Sequence, residues 1–269
     1  MNGARTVIVT GAGRGLGAAI ATTAVRSGWI VGVLDRDARS VETVAGDIPG
    51  AVGLVADTTD GRSIEAALDR FAAATGAAAP DGFVCNAGIV RFGPLLEQSL
   101  TDWRAVIDVN LTGTFVCATA VARRMVAAGQ AGSIVTVTSM NGVAPGPNAG
   151  AYGATKAGVA LLTQQMALEW GAAGIRVNAV APGLIDAGMS EVIYADAEIR
   201  RRRSGAVPLG RLGTGDDVAA MVMFLLSDGA GYITGTEILV DGGVTTSVIA
   251  NLPRPQSVDS VGPSLESER

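Results

Sequence analysis

Three side chains near the middle of the chain have the types needed to move a proton: Ser139, Tyr152 and Lys156. Tyr152 and Lys156 are four positions apart, so on a helix they share one face, a turn from each other. An ammonium in that position favours the phenolate, and the spacing predicts a Tyr152 pKa drawn down from the ordinary value of about 10 toward neutrality. A phenol tuned in this way suits proton transfer to or from an alcohol oxygen. Lys156 is the only lysine in the chain, every other basic residue being arginine. A compact ammonium and a planar guanidinium are not interchangeable in a tight site. The chain has no histidine, which removes Ser-His-Asp hydrolysis, histidine metal sites and histidine acid–base catalysis from consideration. A Tyr/Lys pair is equally at home on the outside of an amphipathic helix, so the surrounding elements have to decide its role.

Those elements alternate between short apolar runs and helical patterns. Thr6–Thr10 reads as a buried strand and residues 18–27 as a helix, joined by Thr10-Gly11-Ala-Gly13-Arg14-Gly15-Leu16-Gly17. A strand, a glycine turn and a helix in that order let the backbone approach a diphosphate at the helix N-terminus. A second strand, residues 30–34, runs into Asp35, an acidic residue about 20 positions past the glycines and placed to hold an adenosine ribose 2′-hydroxyl. Asp35 therefore argues for NAD, because a carboxylate beside the 2′-phosphate of NADP is repelled by a few kcal/mol, roughly, at an effective dielectric near 20. Arg14 and Arg36 flank the same spot and leave dual use open.

Further along, residues 52–56 form a third strand ending in Asp57 and Thr58, residues 61–74 a helix, and residues 81–85 a fourth strand leading to Asn86-Ala87-Gly88. The small residues of that tripeptide suit a plain loop or a close passage of cofactor. Residues 103–128 carry one long helical pattern that contains Asn110, a poor helix former that needs partners if buried. Residues 133–138 are a fifth strand with Ser139 at its carboxyl end, where open α/β sheets place their chemistry. A Gly/Pro loop over residues 141–150 precedes the helix Ala151–Trp170, which bears Tyr152 and Lys156. Residues 176–180 are a sixth strand running into Pro182-Gly183, then residues 184–207 form an irregular insertion. Met189 and Tyr194 in that insertion suit an apolar substrate under a mobile lid. The arginine run 200–203 fits either a solvated helix face or an anion-binding patch. A helix over residues 216–226 and a last strand, Glu237–Val240, complete the pattern.

Bulk properties set the class. The 269 residues suit one large α/β domain or two small ones, with mean hydropathy +0.38 and net charge −5. The acidic balance argues against a nucleic-acid surface. No uninterrupted apolar stretch reaches the roughly 20 residues that a bilayer span needs, so no membrane partner is expected. The first five residues run straight into a strand, with no leader pattern. Cys85 and Cys117 lie in apolar segments and read as buried free thiols of a reducing cytoplasm, too few for a metal cluster. The domain is expected over residues 1–250 and a flexible Pro/Ser-rich tail over residues 251–269.

Taken in order, the glycine turn from Thr10 to Gly17, Asn86-Ala-Gly88, Asn110, Ser139, Tyr152-x-x-x-Lys156 and Pro182-Gly183 resemble the short-chain dehydrogenase/reductase family. The resemblance runs from Thr6 to Gly243 and includes the ending ITGTEILVDGG. It implies a single doubly wound Rossmann-type domain, α/β, with a seven-stranded parallel sheet flanked by helices. It also implies a catalytic set of Asn110, Ser139, Tyr152 and Lys156. Tyr152 would exchange the proton of the substrate oxygen and Ser139 would hold that oxygen. Lys156 would bind the nicotinamide ribose and lower the Tyr152 pKa, and Asn110 would hold a water linking Lys156 to solvent. Gly11, Arg14, Gly15, Leu16 and Gly17 would surround the diphosphate, Asp35 and Arg36 the adenosine ribose, Asp57 and Thr58 the adenine. Asn86, Ala87 and Gly88 would lie beside them, and Pro182, Gly183 and Ile185 at the nicotinamide end. The family usually forms tetramers through the helices here at 103–128 and Ala151–Trp170.

One position departs from the family pattern. Many members carry a threonine five residues after the proline of Pro-Gly, where its hydroxyl holds the carboxamide; here that residue is Ala187. The expected activity is an NAD(H)-dependent interconversion of a small, largely apolar or cyclic secondary alcohol and its ketone. A 3-oxoacyl-carrier-protein reductase using NADPH and a non-catalytic cofactor-binding protein are the competing readings.

Overall fold

The computed structural model describes residues 4–247. The tail expectation for residues 251–269 lies outside the described residues, as do the first three and last three residues of the 1–250 range. Seven strands form one sheet: β1 (Thr6–Thr10), β2 (Ile30–Asp35), β3 (Val52–Val55), β4 (Gly82–Cys85), β5 (Gly132–Val137), β6 (Ile175–Pro182) and β7 (Glu237–Val240). Their order is β3-β2-β1-β4-β5-β6-β7, and every pairing is parallel. The expected seven-stranded parallel sheet is therefore present, and its strand order reverses between β1 and β4, where open α/β sheets bind ligands.

Strands covered on both faces must be apolar at every position. All five residues of β1 are buried: Val7 and Val9 join the apolar layer on one face, while Ile8 joins the layer on the other. One layer sits beneath α1 (Gly15–Arg26) and α10 (Gly215–Leu226), through Ile20, Ala24, Val218, Val222 and Leu225. The opposite layer sits beneath α3 (Gly61–Thr75), α5 (Gly113–Ala127) and α7 (Ala151–Trp170), through Phe71, Met125 and Met166. Helix α2 (Ala38–Asp47) starts on an Asp37 cap that accepts from the amides of Arg39 and Ser40.

Four expectations change. The single long helix is interrupted: α4 (Leu100–Ile107) and α5 are joined by a π-helical turn, Asp108–Thr112, with Asn110 in its middle. In that wider turn the Thr114 hydroxyl donates to the Asn110 carbonyl, 2.7 Å away. Such turns are rare and usually mark functional positions. The insertion at 184–207 is largely helical rather than irregular, with α8 (Glu191–Tyr194) and α9 (Ala197–Ala206). Asp196 caps α9 by accepting from Glu198 and Ile199 amides, and the Ala/Glu/Arg run behind it favours helix. The loop expected from 141 opens instead with a short helix, α6 (Met140–Val143), capped by Ser139. On length and composition the helical run Leu100–Ala127 is also apolar enough to cross a membrane, contrary to expectation, although half of its apolar window packs inside the fold.

Candidate active site

A cavity of about 900 Å³ opens at the carboxyl ends of β1, β2, β4, β5 and β6. Its floor begins at the glycine turn. Arg14 precedes α1 without a side-chain cap, leaving the first-turn amides as donors for an anion. A Cβ on Gly17 would stand 2.2 Å from the Gly11 carbonyl oxygen, so the turn can fold this tightly only with glycine there. Asn86 fastens the turn from β4: its amide nitrogen donates to the carbonyls of Thr10 at 2.9 Å and Gly11 at 3.2 Å. The Thr10 hydroxyl donates to Val84 O and accepts from the amides of Asn86 and Ala87, which ties the ends of β1 and β4 together. This backbone cradle fits a diphosphate-bearing dinucleotide.

Asp35, at the end of β2, lies at one end of the cavity. One of its carboxylate oxygens accepts from the Gly13 amide at 3.2 Å, the other from Asp37 at 3.2 Å. Arg14 and Arg36 line the same region, yet neither forms an ion pair with Asp35. Asp57 accepts from the Thr59 amide and hydroxyl, each at 2.8 Å, and these bonds, the amide's first, hold its carboxyl below the usual range.

At the other end, β5 and α7 bring three side chains together. Ser139 follows the end of β5, is 7% exposed, and accepts from the Asn141 amide at 3.1 Å. Its hydroxyl hydrogen-bonds the Tyr152 phenol. One turn along α7, Lys156 is 4% exposed, with its ammonium 5.6 Å from the centroid of the Tyr152 ring. That ammonium donates to the Val137 carbonyl at 2.7 Å.

A family model described as enoyl-(acyl carrier protein) reductase matches residues 11–245. The 3beta-hydroxysteroid dehydrogenase 1 of Eggerthella lenta is 36% identical over 90% of this chain and 94% of its own. The cis-4-hydroxycyclohexanecarboxylate dehydrogenase of Sinomonas cyclohexanicum is 40% identical over 90% and 96%. A solved short-chain type dehydrogenase/reductase from Mycobacterium marinum superposes with a TM-score of 0.83 at 33% identity, covering 90% of this chain and 95% of that one. The chain belongs to the short-chain dehydrogenase/reductase family. Members of this oxidoreductase family work with a nicotinamide cofactor, and the glycine turn with its Asn86 bracket has a shape that would hold one.

Within this short-chain dehydrogenase/reductase site, two electrostatic expectations need correction. The Tyr152 phenol is raised above its ordinary value, because burial outweighs the Ser139 hydrogen bond that acts to lower it. Lys156 does not reverse that balance, since its ammonium is directed to Val137 and is itself pushed down to about 8 by burial. The Asn110 side chain does not line the cavity. It is fully buried behind the wall, donating to Ile89 O at 2.9 Å and Thr155 Oγ1 at 3.2 Å and accepting from the Ile89 amide at 2.8 Å. With both amide protons committed, its visible work is to hold the segment after Gly88. A Cβ on Gly88 would lie 3.3 Å from Asn110 Oδ1 and 3.5 Å from Lys156 Nζ, so glycine here lets the two groups approach.

Every other predicted site residue lines the cavity: Gly11, Arg14, Gly15, Leu16, Gly17, Asp35, Arg36, Asp57, Thr58, Asn86, Ala87, Gly88, Ser139, Tyr152, Lys156, Pro182, Gly183, Ile185, Met189 and Tyr194. Ala187 lines it too and brings no hydroxyl. The insertion reaches the glycine turn directly, since a Cβ on Gly15 would stand 2.6 Å from Gly188 Cα. The wall residues that were not anticipated include Val90, Phe92, Ile193 and Arg203. The first three carry no sequence signal beyond hydrophobicity. Arg203 was inside the conspicuous arginine run, and the helical phase of α9 was the signal that separates it from its neighbours.

Proposed function

We propose that this protein interconverts a secondary alcohol and a ketone with NAD(H). The observation that carries the reading is the meeting of Ser139, Tyr152 and Lys156 at one end of a cavity whose other end holds Asp35. A nicotinamide cofactor in the glycine-turn cradle supplies the hydride acceptor or donor. Tyr152 takes the proton from the substrate hydroxyl in oxidation and returns it in reduction. Ser139 holds the same oxygen and, through its bond to the phenol, favours the phenolate. Lys156 braces α7 against the end of β5 and places positive charge beside the phenol, where it would also hold the ribose of a bound nicotinamide cofactor. Asn110 is a positioning residue that acts through Ile89 and Thr155.

NAD rather than NADP follows from the Asp35 carboxylate, with no ion pair from Arg14 or Arg36 to neutralise it. Phe92, Met189, Ile193 and Tyr194 give the substrate end an apolar wall suited to a cyclic or branched carbon skeleton. Relatives named as dehydrogenases of a hydroxysteroid and of a hydroxycyclohexanecarboxylate support a cyclic alcohol. The matching enoyl-(acyl carrier protein) reductase model favours a second reading, a carrier-protein reductase. Against it stand Asp35 and the pairing of Arg200 with Asp186 and Arg201 with Glu198, which leaves few free charges for an acidic carrier.

The protein is proposed to work in a reducing cytoplasm, consistent with the buried thiols of Cys85 and Cys117. It is proposed to assemble as a homotetramer through α5 and α7, where Phe115, Leu161 and Leu168 are 52%, 68% and 82% exposed. The deciding experiment follows NADH formation across a panel of secondary and cyclic alcohols with wild type and Tyr152→Phe. Turnover that disappears in the variant while NADH still binds supports the reading; undiminished turnover in the variant rejects the role of Tyr152.

A further inference from the structure

The four arginines of α9 do four different things. Arg200 pairs with Asp186 at 2.6 Å and donates from Nε to the Tyr194 carbonyl at 3.2 Å, which pins the helix to the base of the insertion. Arg201 pairs with Glu198 on the outside, and Arg202 is exposed. Arg203, one turn after Arg200, comes round to the cavity and lines it. Its guanidinium lies 5.7 Å from the centroid of the Tyr194 ring, a cation–π distance, and Tyr194 is itself 3% exposed and so a fixed platform.

Stacking occupies the flat face of a guanidinium and leaves its N–H edge for planar acceptors such as a carboxylate. Arg203 makes no hydrogen bond or ion pair with any described residue. The acidic residues that line the cavity are Asp35, Asp37 and Asp57, all at the adenosine end, and the nearby Asp186 is already taken by Arg200. Phe92, Met189 and Ile193 add apolar side chains to the same cavity, and the Tyr194 ring lies beside Arg203. A cation that lines this cavity on an aromatic ring, without a counter-ion among the described residues, has the form of a specificity determinant.

We propose that the substrate carries an anionic group, a carboxylate in the first instance, separated from the reacting hydroxyl by an apolar spacer, and that Arg203 binds it. The inference deepens the alcohol dehydrogenase reading and rests on it for the hydroxyl end of the substrate. The spacer lies along the apolar wall, the hydroxyl meets Ser139 and Tyr152, and the carboxylate receives two N–H donors from the Arg203 edge.

The test separates this claim from the reading beneath it. Cyclohexanecarboxylate and its methyl ester are titrated into the enzyme–NADH complex, with calorimetry as a readout that needs no turnover. The same pair bearing a ring hydroxyl is assayed with NAD⁺. In wild type the carboxylate should bind tighter than the ester. In Arg203→Gln the ratio of the two affinities should fall on the order of tenfold or more, with Arg203→Lys between them because it keeps the charge and loses the fork. An equal loss for both ligands would mean that Arg203 only braces Tyr194, and unchanged affinity for both would mean that it does not meet the substrate; either overturns the proposal. Tyr152→Phe is the control for the underlying reading. Arg203-dependent carboxylate binding without Tyr152-dependent turnover would sink the dehydrogenase and leave the anion site standing.

Discussion

The Lys156 ammonium donates to the carbonyl of Val137, 2.7 Å away at the last residue of β5, two positions before Ser139. This bond joins the strand that ends at the serine to the helix that carries the tyrosine. One lysine therefore both charges the site and sets the spacing between its two hydroxyls.

Replacing that lysine separates the two roles. Lys156→Arg should lower kcat/KM on the order of a hundredfold or more. Overpacking of a guanidinium into a position 4% exposed should also cost about 1–3 kcal/mol of stability. Lys156→Met should lose activity as well, but with a different pH signature. The folded-state pKa, about 8, lies below the ordinary lysine value of 10.5, so the unfolded chain binds more protons between those values. Wild-type stability should then rise relative to Lys156→Met as pH increases through that window. Denaturant titrations at several pH values check the sign; a fall over the window would contradict a buried, depressed lysine.

The raised Tyr152 pKa makes a directional claim about rate. Alcohol oxidation needs the phenolate and ketone reduction the phenol, so oxidation should accelerate from about pH 7 to pH 9 while reduction does not. Ser139→Ala removes the bond that opposes burial, so its oxidation limb should move to higher pH, apart from any loss in maximum rate. Paired pH profiles of kcat/KM for both directions would show this. A limb that moves to lower pH would overturn the assignment of the Ser139 bond.

The proposed preference for NAD rests on the charge of Asp35. Asp35→Asn keeps an acceptor for the Gly13 amide but removes the repulsion of a 2′-phosphate. The ratio of kcat/KM for NADP⁺ to that for NAD⁺ should rise about tenfold or more. A wild-type enzyme that already prefers NADP⁺ would show that Arg14 and Arg36 dominate this end of the cavity.

Thr10 holds three bonds at the junction of β1 and β4. Thr10→Val keeps the shape and strands the amides of Asn86 and Ala87, at a cost of about 1–3 kcal/mol for each buried donor left unmet. Thermal unfolding should register the loss, and NADH affinity should weaken with it because the glycine turn is fastened through the same bracket.

Ala187 lines the cavity at the position where many family members carry a threonine. Ala187→Thr should tighten NADH binding about three- to tenfold, the worth of one net hydrogen bond. Fluorescence titration gives the answer directly, and an unchanged Kd would remove the idea that this position limits cofactor binding.

Much of this protein is determined by local pattern. Apolar runs such as Thr6–Thr10 specify strands buried on both faces, and β1 is buried at all five positions. Gly17 is dictated by a carbonyl 2.2 Å from any Cβ, and the four-residue spacing of Tyr152 and Lys156 puts them on one helix face. These features report constraints that act within a few residues, so they can be read from the chain alone. What the tertiary structure decided involves partners far apart in sequence. The Tyr152 pKa depends on how deeply the phenol is buried and on Ser139, not on helix spacing to Lys156. The π turn at Asn110 depends on Ile89 and Thr155, at 21 and 45 residues' distance, competing with the ordinary helical register. Which of four consecutive arginines reaches the cavity depends on the rotation of α9, and that is set by the bond from Arg200 to Asp186. Side-chain charge is written in the sequence, but desolvation and direction come only from what packs around it.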